Sequence, residues 1–487
     1  MNLDRTLRTF FSVYVFAYAF FFAARPLSDA DFWWHLKTGE YIVNTHSVPT
    51  TDFFSFTNYG KAWVAHEWLS EAIFYLIYSR FGFNVLIVVF AVLTALAFWI
   101  AFRRTESHPL IGGAAALLGV WTVLPTIGVR PRVFTLLLSS VYLALLARYV
   151  KRGKGREIWW LVPLMAIWVN LHGGFLIGLV LIGLTLVGAP LDAWARGEKL
   201  TSAWPQMRML SLVLAGCLLA VLLNPHGIWI YKFPFEIFLS PVQQQAIVDW
   251  LSPDFHQSEA VPLMLLIFLT IGALTLSPRR VRPSELLLFI ATLYMTLKSQ
   301  RHVALLALVA VPLLADYLQS WITETSKGKL FSMTAVDSGR DKRMALMLGV
   351  LFLVPLIAFA AKLKARVFDE WRQEILKVPL SAVAYLKDHQ ITGNTFTDPN
   401  IWGGYVIWAL PSNPVYIDGR IDMYGDDFVK EYLNVIWNGA DWREPFDRYG
   451  VRVVIIEPRS ALSRELLASG QWSKVFEDDD AVVFVRS

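Results

Sequence analysis

A single cysteine occurs among the 487 residues. Cys217, in "LVLAGCLLAVLL", therefore enters no intramolecular disulfide and no cysteine-based metal cluster. Its setting is that of a small buried hydrophobe. Charge is also scarce. Asp, Glu, Lys and Arg make up 17% of the chain, against about 25% in a soluble domain of ordinary composition. No glycine-rich nucleotide fingerprint, Walker motif or serine nucleophile elbow is present, and no pair has zinc-ligand spacing. His66-Glu67 does not open an HExxH motif, because Leu69 and Ser70 follow Trp68. Fixed-period repeats and low-complexity tracts are missing too.

What the sequence has instead is apolar length. Hydrophobic residues make up 55% of it and the mean hydropathy is +0.46. Runs of 18 or more apolar residues recur, each long enough to cross a hydrocarbon core about 30 Å thick. The pattern predicts a polytopic α-helical membrane protein of about 11 transmembrane helices, near 9–25, 83–102, 110–127, 133–149, 158–170, 174–194, 209–224, 260–277, 284–297, 302–318 and 344–362. The first run is rich in aromatics and lacks a small-x-small cleavage site before Arg25-Pro26, so it reads as a retained helix rather than a signal peptide.

The net charge of +5 resides mostly in short loops, where it sets orientation. The segments "MNLDRTLR", "RRTESH", "KRGKGR", "ARGEK", "SPRRVR" and the long stretch 325–343 are all basic. With eleven helices all six fall on one side, and the positive-inside rule makes that side the cytoplasm. The N-terminus is then cytoplasmic, and the C-terminus periplasmic or extracellular. Nucleic acid is not an expected partner. Eight of the nine histidines fall on the outer side under this topology, in loops that also carry Arg, Asn and Asp. Interfacial loops tolerate His and Trp in any case, but polar residues that recur in every outer loop of a membrane protein also mark function.

Two regions stand apart from the spans. The first outer loop, 26–82, contains "DFWWHLKTGEYIV", which at helical spacing brings Trp34, Leu36 and Tyr41 together, and "HEWLSEAIFYLIYSRF", which reads as an apolar-faced helix. After residue 362 strands and helices alternate, which predicts an extracytoplasmic α/β domain over 363–487 beyond the transmembrane domain 1–362. In it "GNTFTD", "GGYVIWAL", "NPVYIDGR" and "VRVVIIE" read as strands, "LSAVAYLKDHQ", "FVKEYLNVIW", "REPFDRYG" and "ALSRELLAS" as helices, and the last residues as a closing hairpin.

Five constellations carry candidate chemistry. Asp29 and Asp31 follow the first helix. A single Asp there suits a solvated turn, but a close pair can share a proton or a divalent cation, or separate its pKa values so that one member acts as general base. His66 and Glu67 form a second acid–base pair, or Glu67 serves only the N-terminus of the following helix. Arg130 and Arg132 in "GVRPRVF", with Lys298, Arg301 and His302 in "LKSQRHVALL", place cations where the charge rule disfavours them. A forked guanidinium suits a phosphate, and the alternative is snorkelling or pairing with Asp29, Asp31 or Glu67. Asn170 and His172, and Asn224 and His226, interrupt apolar segments beside Gly or Pro, as irregular backbone does where it faces a cavity; His35 joins them as a cavity-lining candidate. Asp418, Arg420, Asp422 and Tyr424 cluster in "VYIDGRIDMYGDDF", either as a salt-bridged turn, which suits Arg420, or as an acceptor-binding edge.

These residues carry a resemblance. An acidic motif in an amphipathic first outer loop, as in "SDADFWWH", is similar to the GT-C class of membrane glycosyltransferases, including the protein mannosyltransferase and aminoarabinose transferase families that use polyprenyl-phosphate sugars. The wording "DADFWWHL", "HEWL", "NLHGGF" and "WGGY…DGRIDMYGD" also resembles a group of bacterial membrane proteins over nearly the whole chain, a likeness that implies no particular activity. The class resemblance implies an inverting transfer on the outer face of a bacterial cytoplasmic membrane. The donor would be a polyprenyl-phosphate-linked sugar, and the acceptor an extracytoplasmic glycan, lipid or protein. One of Asp29 or Asp31 would be the base, and the outer arginines would hold the lipid phosphate. The acidic motif departs from those of the two named families, which leaves donor, acceptor and cation requirement open. A non-catalytic scaffold or sensor, with the outer domain binding a partner, and a lipid-linked saccharide transporter are the alternatives. The transporter fits less well, because the charges gather at helix ends and not at mid-helix.

Overall fold

The computed structural model describes residues 3–27, 29, 31–153, 155–325, 357, 361, 378–438 and 442–487. Among these, eight helical stretches are long and apolar enough to cross a membrane: Arg5–Ala23, Trp68–Arg103, Pro109–Thr126, Arg132–Arg152, Phe175–Ala195, Leu200–Val221, Ser258–Leu276 and Gln300–Thr325. The chain is a multi-pass integral membrane protein. Two further expected spans are shorter helices, Leu161–Leu171 and Pro283–Lys298. The eleventh, 344–362, lies outside the described residues apart from 357 and 361.

The residues divide into two compact units: one of Met1–Arg25, Ile87–Asn224 and Asp249–Glu370, the other of Pro26–Leu86, Pro225–Val248 and Trp371–Ser487. The first is a helical bundle. Helix Val303–Thr325 packs against Pro109–Val123 and Val261–Leu276. Gly119 lets two of these backbones approach, since a Cβ there would stand 2.5 Å from Val311. Proline in the first turn starts four of the helices, where its missing N–H costs no intrahelical bond. Gly153, at φ 68°, ends Arg132–Arg152 in the left-handed conformation that glycine adopts without strain.

The second unit is mixed α/β. Strands β1 (Thr395–Asp398), β2 (Val453–Ile456), β3 (Trp472–Glu477) and β4 (Val482–Arg486) form one sheet in the order β1-β2-β4-β3. β1 and β2 run parallel, with Thr395 opposite Val453, and the other pairs are antiparallel. Val453–Ile456 is buried throughout, as expected of a strand covered on both faces. The aromatic core beside it includes Phe396, Tyr416, Trp442, Phe446, Trp472 and Phe484. Each such side chain contributes roughly 1.5–3 kcal/mol on burial.

The first loop belongs to this unit through main-chain pairing. Val415 bridges Thr395 on one side and Ser55 on the other, both in parallel sense. Val415 N–H donates to the Phe54 carbonyl at 3.2 Å, and Phe56 N–H donates to the Val415 carbonyl at 3.1 Å. "VYIDGR" is therefore a pair of bridges and not a strand of the sheet. "GGYVIWAL" is also not a strand but the helix Trp402–Ala409, packed on the first-loop helix Phe32–Thr45. A short apolar run reads as either element from periodicity alone. In Phe32–Thr45 the buried residues include Phe32, His35, Leu36, Gly39 and Ile42, while Trp34 and Tyr41 are only half-buried. The inward stripe is thus rotated from the expected Trp34–Leu36–Tyr41 face. The cause lies at Gly39, where a Cβ would meet the Glu71 carbonyl oxygen at 2.0 Å, so that helix Trp68–Arg103 packs directly on this face. That helix breaks at Gly82, whose φ of 75° is non-helical.

Candidate active site

Asp29 and Asp31 stand just before Phe32–Thr45. The Asp29 carboxylate accepts the Asp31 N–H at 3.2 Å, an Asx-type turn that stiffens the chain here. Asp31 occupies the N-cap position, yet its side chain makes no capping bond. It accepts instead from the Trp34 indole N–H at 3.2 Å. Gly419 lies against it: a Cβ there would fall 1.7 Å from Asp31 Oδ1 and 3.3 Å from Trp34 Nε1. The "DGR" glycine thus leaves the room that the Asp31 carboxylate fills.

One turn further on, a file of alternating acids and imidazoles begins. Glu71 Oε1 is 3.1 Å from His35 Nδ1, His35 Nε2 is 3.7 Å from Glu67 Oε2, and Glu67 Oε1 is 3.4 Å from His66 Nε2. His35, Glu67 and Glu71 are nearly excluded from solvent. Burial opposes a charge on His35, but Glu71, Glu67 and Asp31 outweigh it and raise its pKa. His66 is raised in the same way, burial being overcome by Glu67 and Asp422. Burial raises Asp422 despite the opposing pull of His66. His226 is lowered, first by burial and then by His66. Acids and imidazoles thus alternate along the file, each carboxylate shifting the imidazole beside it.

Beside it Arg420 is 2% exposed and Asp418 and Asp52 are at most 1% exposed. Arg420 Nε and Nη2 donate to the two Asp418 oxygens at 2.9 and 2.6 Å, and Nη2 lies 2.9 Å from Asp52 Oδ1. Tyr424 OH donates to Asp418 Oδ2 at 2.9 Å. The guanidinium also lies 4.5 Å from the Trp63 ring and 5.0 Å from Phe54, within cation–π range. This is a salt-bridged turn that ties loop residues 52–63 to the C-terminal segment.

In the helical unit Arg130 and Arg132 flank Pro131, the N-cap of Arg132–Arg152. A cation at a helix N-terminus is opposed by the macrodipole, so these arginines need an anion. Arg132 Nη2 is 2.5 Å from Asp249 Oδ2 and Arg130 Nη1 is 4.0 Å from it. Arg301 lies over the Trp250 ring at 4.3 Å. Burial would raise the Asp249 pKa, but Arg132, Arg130 and Arg301 lower it. Three guanidiniums thus act on one carboxylate. Lys298 is exposed at the end of its helix, and the His302 carbonyl accepts from Thr296 at 3.1 Å.

The remaining candidates hold turns. His172 Nδ1 accepts from Gly174 N–H at 2.8 Å and lies 2.8 Å from Thr135 Oγ1. Asn224 Nδ2 donates to Asn170 Oδ1 at 3.2 Å and to the Val169 carbonyl at 3.1 Å, so the two Asn–His turns meet through their asparagines. Among the described residues no three His, Cys, Asp or Glu side chains are grouped to hold a metal ion. Sequence reading missed Asp52, Glu71 and Asp249. Glu71 was findable, four residues after Glu67 on one helix face. Asp249, 117 residues from Arg132, carried no local signal.

The chain has a GT-C-like fold, that of membrane glycosyltransferases dependent on polyprenyl phosphates. The archaeal oligosaccharyltransferase AglB from Archaeoglobus fulgidus, in complex with an inhibitory peptide and a dolichol-phosphate, aligns at TM-score 0.55 and 11% identity over 98% of this chain and 74% of that one. The apo form of the Archaeoglobus fulgidus oligosaccharyltransferase aligns at 0.57 and 12% identity, over 91% and 69%. ArnT from Cupriavidus metallidurans, bound to undecaprenyl phosphate, aligns at 0.50 and 13%, over 98% and 97%. At these identities the likeness is one of fold. No protein-family model matches the sequence, and no curated protein matches it.

Proposed function

We propose that this protein is an inverting glycosyltransferase that moves a sugar from a polyprenyl-phosphate donor to an extracytoplasmic acceptor. The observation that carries the reading is the GT-C-like fold over nearly the whole chain, with an acidic pair directly after the first helix. ArnT, similar in fold, holds undecaprenyl phosphate, and a lipid-linked donor is the sensible one where no nucleotide-sugar pool exists. In the transfer the acceptor oxygen or nitrogen attacks the anomeric carbon. The bond from that carbon to the phosphate oxygen breaks, and the electron pair leaves with the polyprenyl phosphate. Asp31, or Asp29 beside it, takes the acceptor proton, and the His35–Glu67–His66 file steadies the charge that results. Arg130, Arg132 and Arg301 bind the phosphate and stabilise it as it leaves. A single displacement inverts the anomeric centre. The positive-inside rule applied to the basic loops supports an N-terminus in the cytoplasm and, with eleven spans, a C-terminal segment outside.

Native mass spectrometry of the purified protein with undecaprenyl phosphate tests the donor half of this reading. Wild type and Asp29→Asn/Asp31→Asn should retain the lipid, and Arg130→Ala/Arg301→Ala should lose it. If no variant or wild type retains the lipid while all remain folded, a non-catalytic scaffold becomes the better reading.

A further inference from the structure

The helical unit contains a cavity of about 960 Å³ that none of Arg130, Arg132 and Arg301 lines. Eight arginine and lysine side chains line it against three carboxylates, Glu106, Glu285 and Asp316. All three carboxylates are already engaged. Asp316 accepts the backbone N–H groups of Glu106 and Ser107 at 2.8 and 2.9 Å. Glu106 pairs with Lys151. Glu285 accepts from Tyr317 OH at 2.6 Å and lies 3.6 Å from Arg282. Arg104 is the innermost cation: Nη1 donates to the Leu308 carbonyl at 2.9 Å, and its buried Nε has no hydrogen-bond partner among the described residues. Most of the remaining lining is apolar, with Leu143, Leu184, Leu288 and Leu313 among it, beside the hydroxyls of Thr105, Thr185, Ser284 and Tyr317.

Orientation by the charge rule accounts for basic residues in the connecting loops. It does not require them to converge on a cavity, to bury a guanidinium with an unsatisfied donor, or to meet a leucine-lined wall. An excess of forked donors over an apolar wall matches an amphiphile with a phosphate head. We infer that this cavity is a binding site for the phosphate headgroup of an anionic lipid, with the Arg104 and Arg282 side chains on the phosphate and the leucine wall against its chains. Lys151 and Arg152 end the same 21-residue helix that Arg132 begins. At 1.5 Å per residue the two cationic groups stand roughly 30 Å apart, the thickness of a hydrocarbon core. The inference stands apart from the transfer reaction proposed above.

The test is native mass spectrometry of the full chain with three probes: dioleoyl phosphatidylglycerol, dioleoyl phosphatidylcholine and soluble glycerol phosphate. Phosphatidylglycerol should be retained at 1:1 in preference to the zwitterionic lipid, and retention should fall as salt rises. Arg104→Gln/Arg282→Gln should reduce it at least tenfold, and Arg130→Ala/Arg301→Ala should leave it unchanged. Equal retention of both lipids, or phosphatidylglycerol retention untouched by the Arg104→Gln/Arg282→Gln change and by salt, overturns the site. Binding of glycerol phosphate as tight as that of the lipid would assign the cavity to a soluble anion and overturn the lipid assignment. The salt series on wild type keeps the test decisive if the double variant does not fold.

Discussion

Replacing Arg420 by methionine keeps an unbranched apolar stem but removes the one cation that, among the described residues, Asp418 and Asp52 share. Both carboxylates are buried. Asp52 would keep Ser55 Oγ–H and the N–H groups of Phe54 and Ser55, and Asp418 would keep Tyr424 OH and the backbone N–H of residue 420. Those bonds solvate the charges only in part. Stranding one side of a buried ion pair costs about 3–5 kcal/mol. For a unit of this size each kcal/mol moves the melting point by about 2–4 °C, so Arg420→Met should lower it by roughly 6–20 °C. Asp418→Asn leaves Arg420 with Asp52 and should cost less. In the double variant fewer charges are stranded, and part of the Arg420→Met loss should return. Tryptophan fluorescence on heating is the assay, because Trp63 lies against the guanidinium. A shift for Arg420→Met under about 2 °C, or a double variant whose losses simply add, would refute the claim that a shared buried charge ties the loop down.

Three shorter expectations follow from the same unit. Gly419→Ala drives a methyl to 1.7 Å from Asp31 Oδ1, so the carboxylate must move by more than 1 Å while its charge stays; on the proposed mechanism transfer should fall about 100-fold with donor binding kept, and an unchanged rate would remove Asp31 from the chemistry. Gly39→Ala pushes Phe32–Thr45 off the Glu71 carbonyl and should destabilise the unit by about 1–3 kcal/mol, measured as a melting shift that Gly60→Ala, where the space is open but φ is 76°, reproduces only through backbone strain. The raised pKa values of His35 and His66 mean that the folded state holds protons which the unfolded chain has released: the stabilisation is full below about pH 6.5 and is lost as pH rises through the folded values. Asp422, also raised from 3.8, acts with the same sign at lower pH. Melting points should therefore fall from pH 6 to pH 9, and His35→Gln should flatten the curve.

The spans were legible because length and apolarity suffice to define them. Most of the C-terminal elements followed from period and breakers, as with Val453–Ile456 and Ala461–Ser469. "GGYVIWAL" was misread because eight apolar residues satisfy strand and helix alike; the deciding feature is Gly403, where a Cβ would sit 2.3 Å from the Ile417 carbonyl. The face of Phe32–Thr45 depended on Gly39 meeting Glu71, a contact that no spacing within the helix encodes. Asp29, Asp31, His66, Glu67 and the arginines stood out as polar residues beside apolar spans. Their partners Asp249 and Asp52 did not, because each is one unremarkable Asp until the chain folds.

The bridge between the first loop and Val415 also fixes an order of events during synthesis. Thr57 Oγ1 donates to the Tyr416 carbonyl across 359 residues. At roughly 5–20 residues per second a ribosome takes about 20–70 s to cover that distance. For that interval Asp52 exists without Arg420, and the loop lacks the edge it will pair with. The acidic pair is thus among the first chemistry translated and among the last to be locked in place. A chain cut short before residue 415 would lose its first loop as a folded element along with its C-terminus.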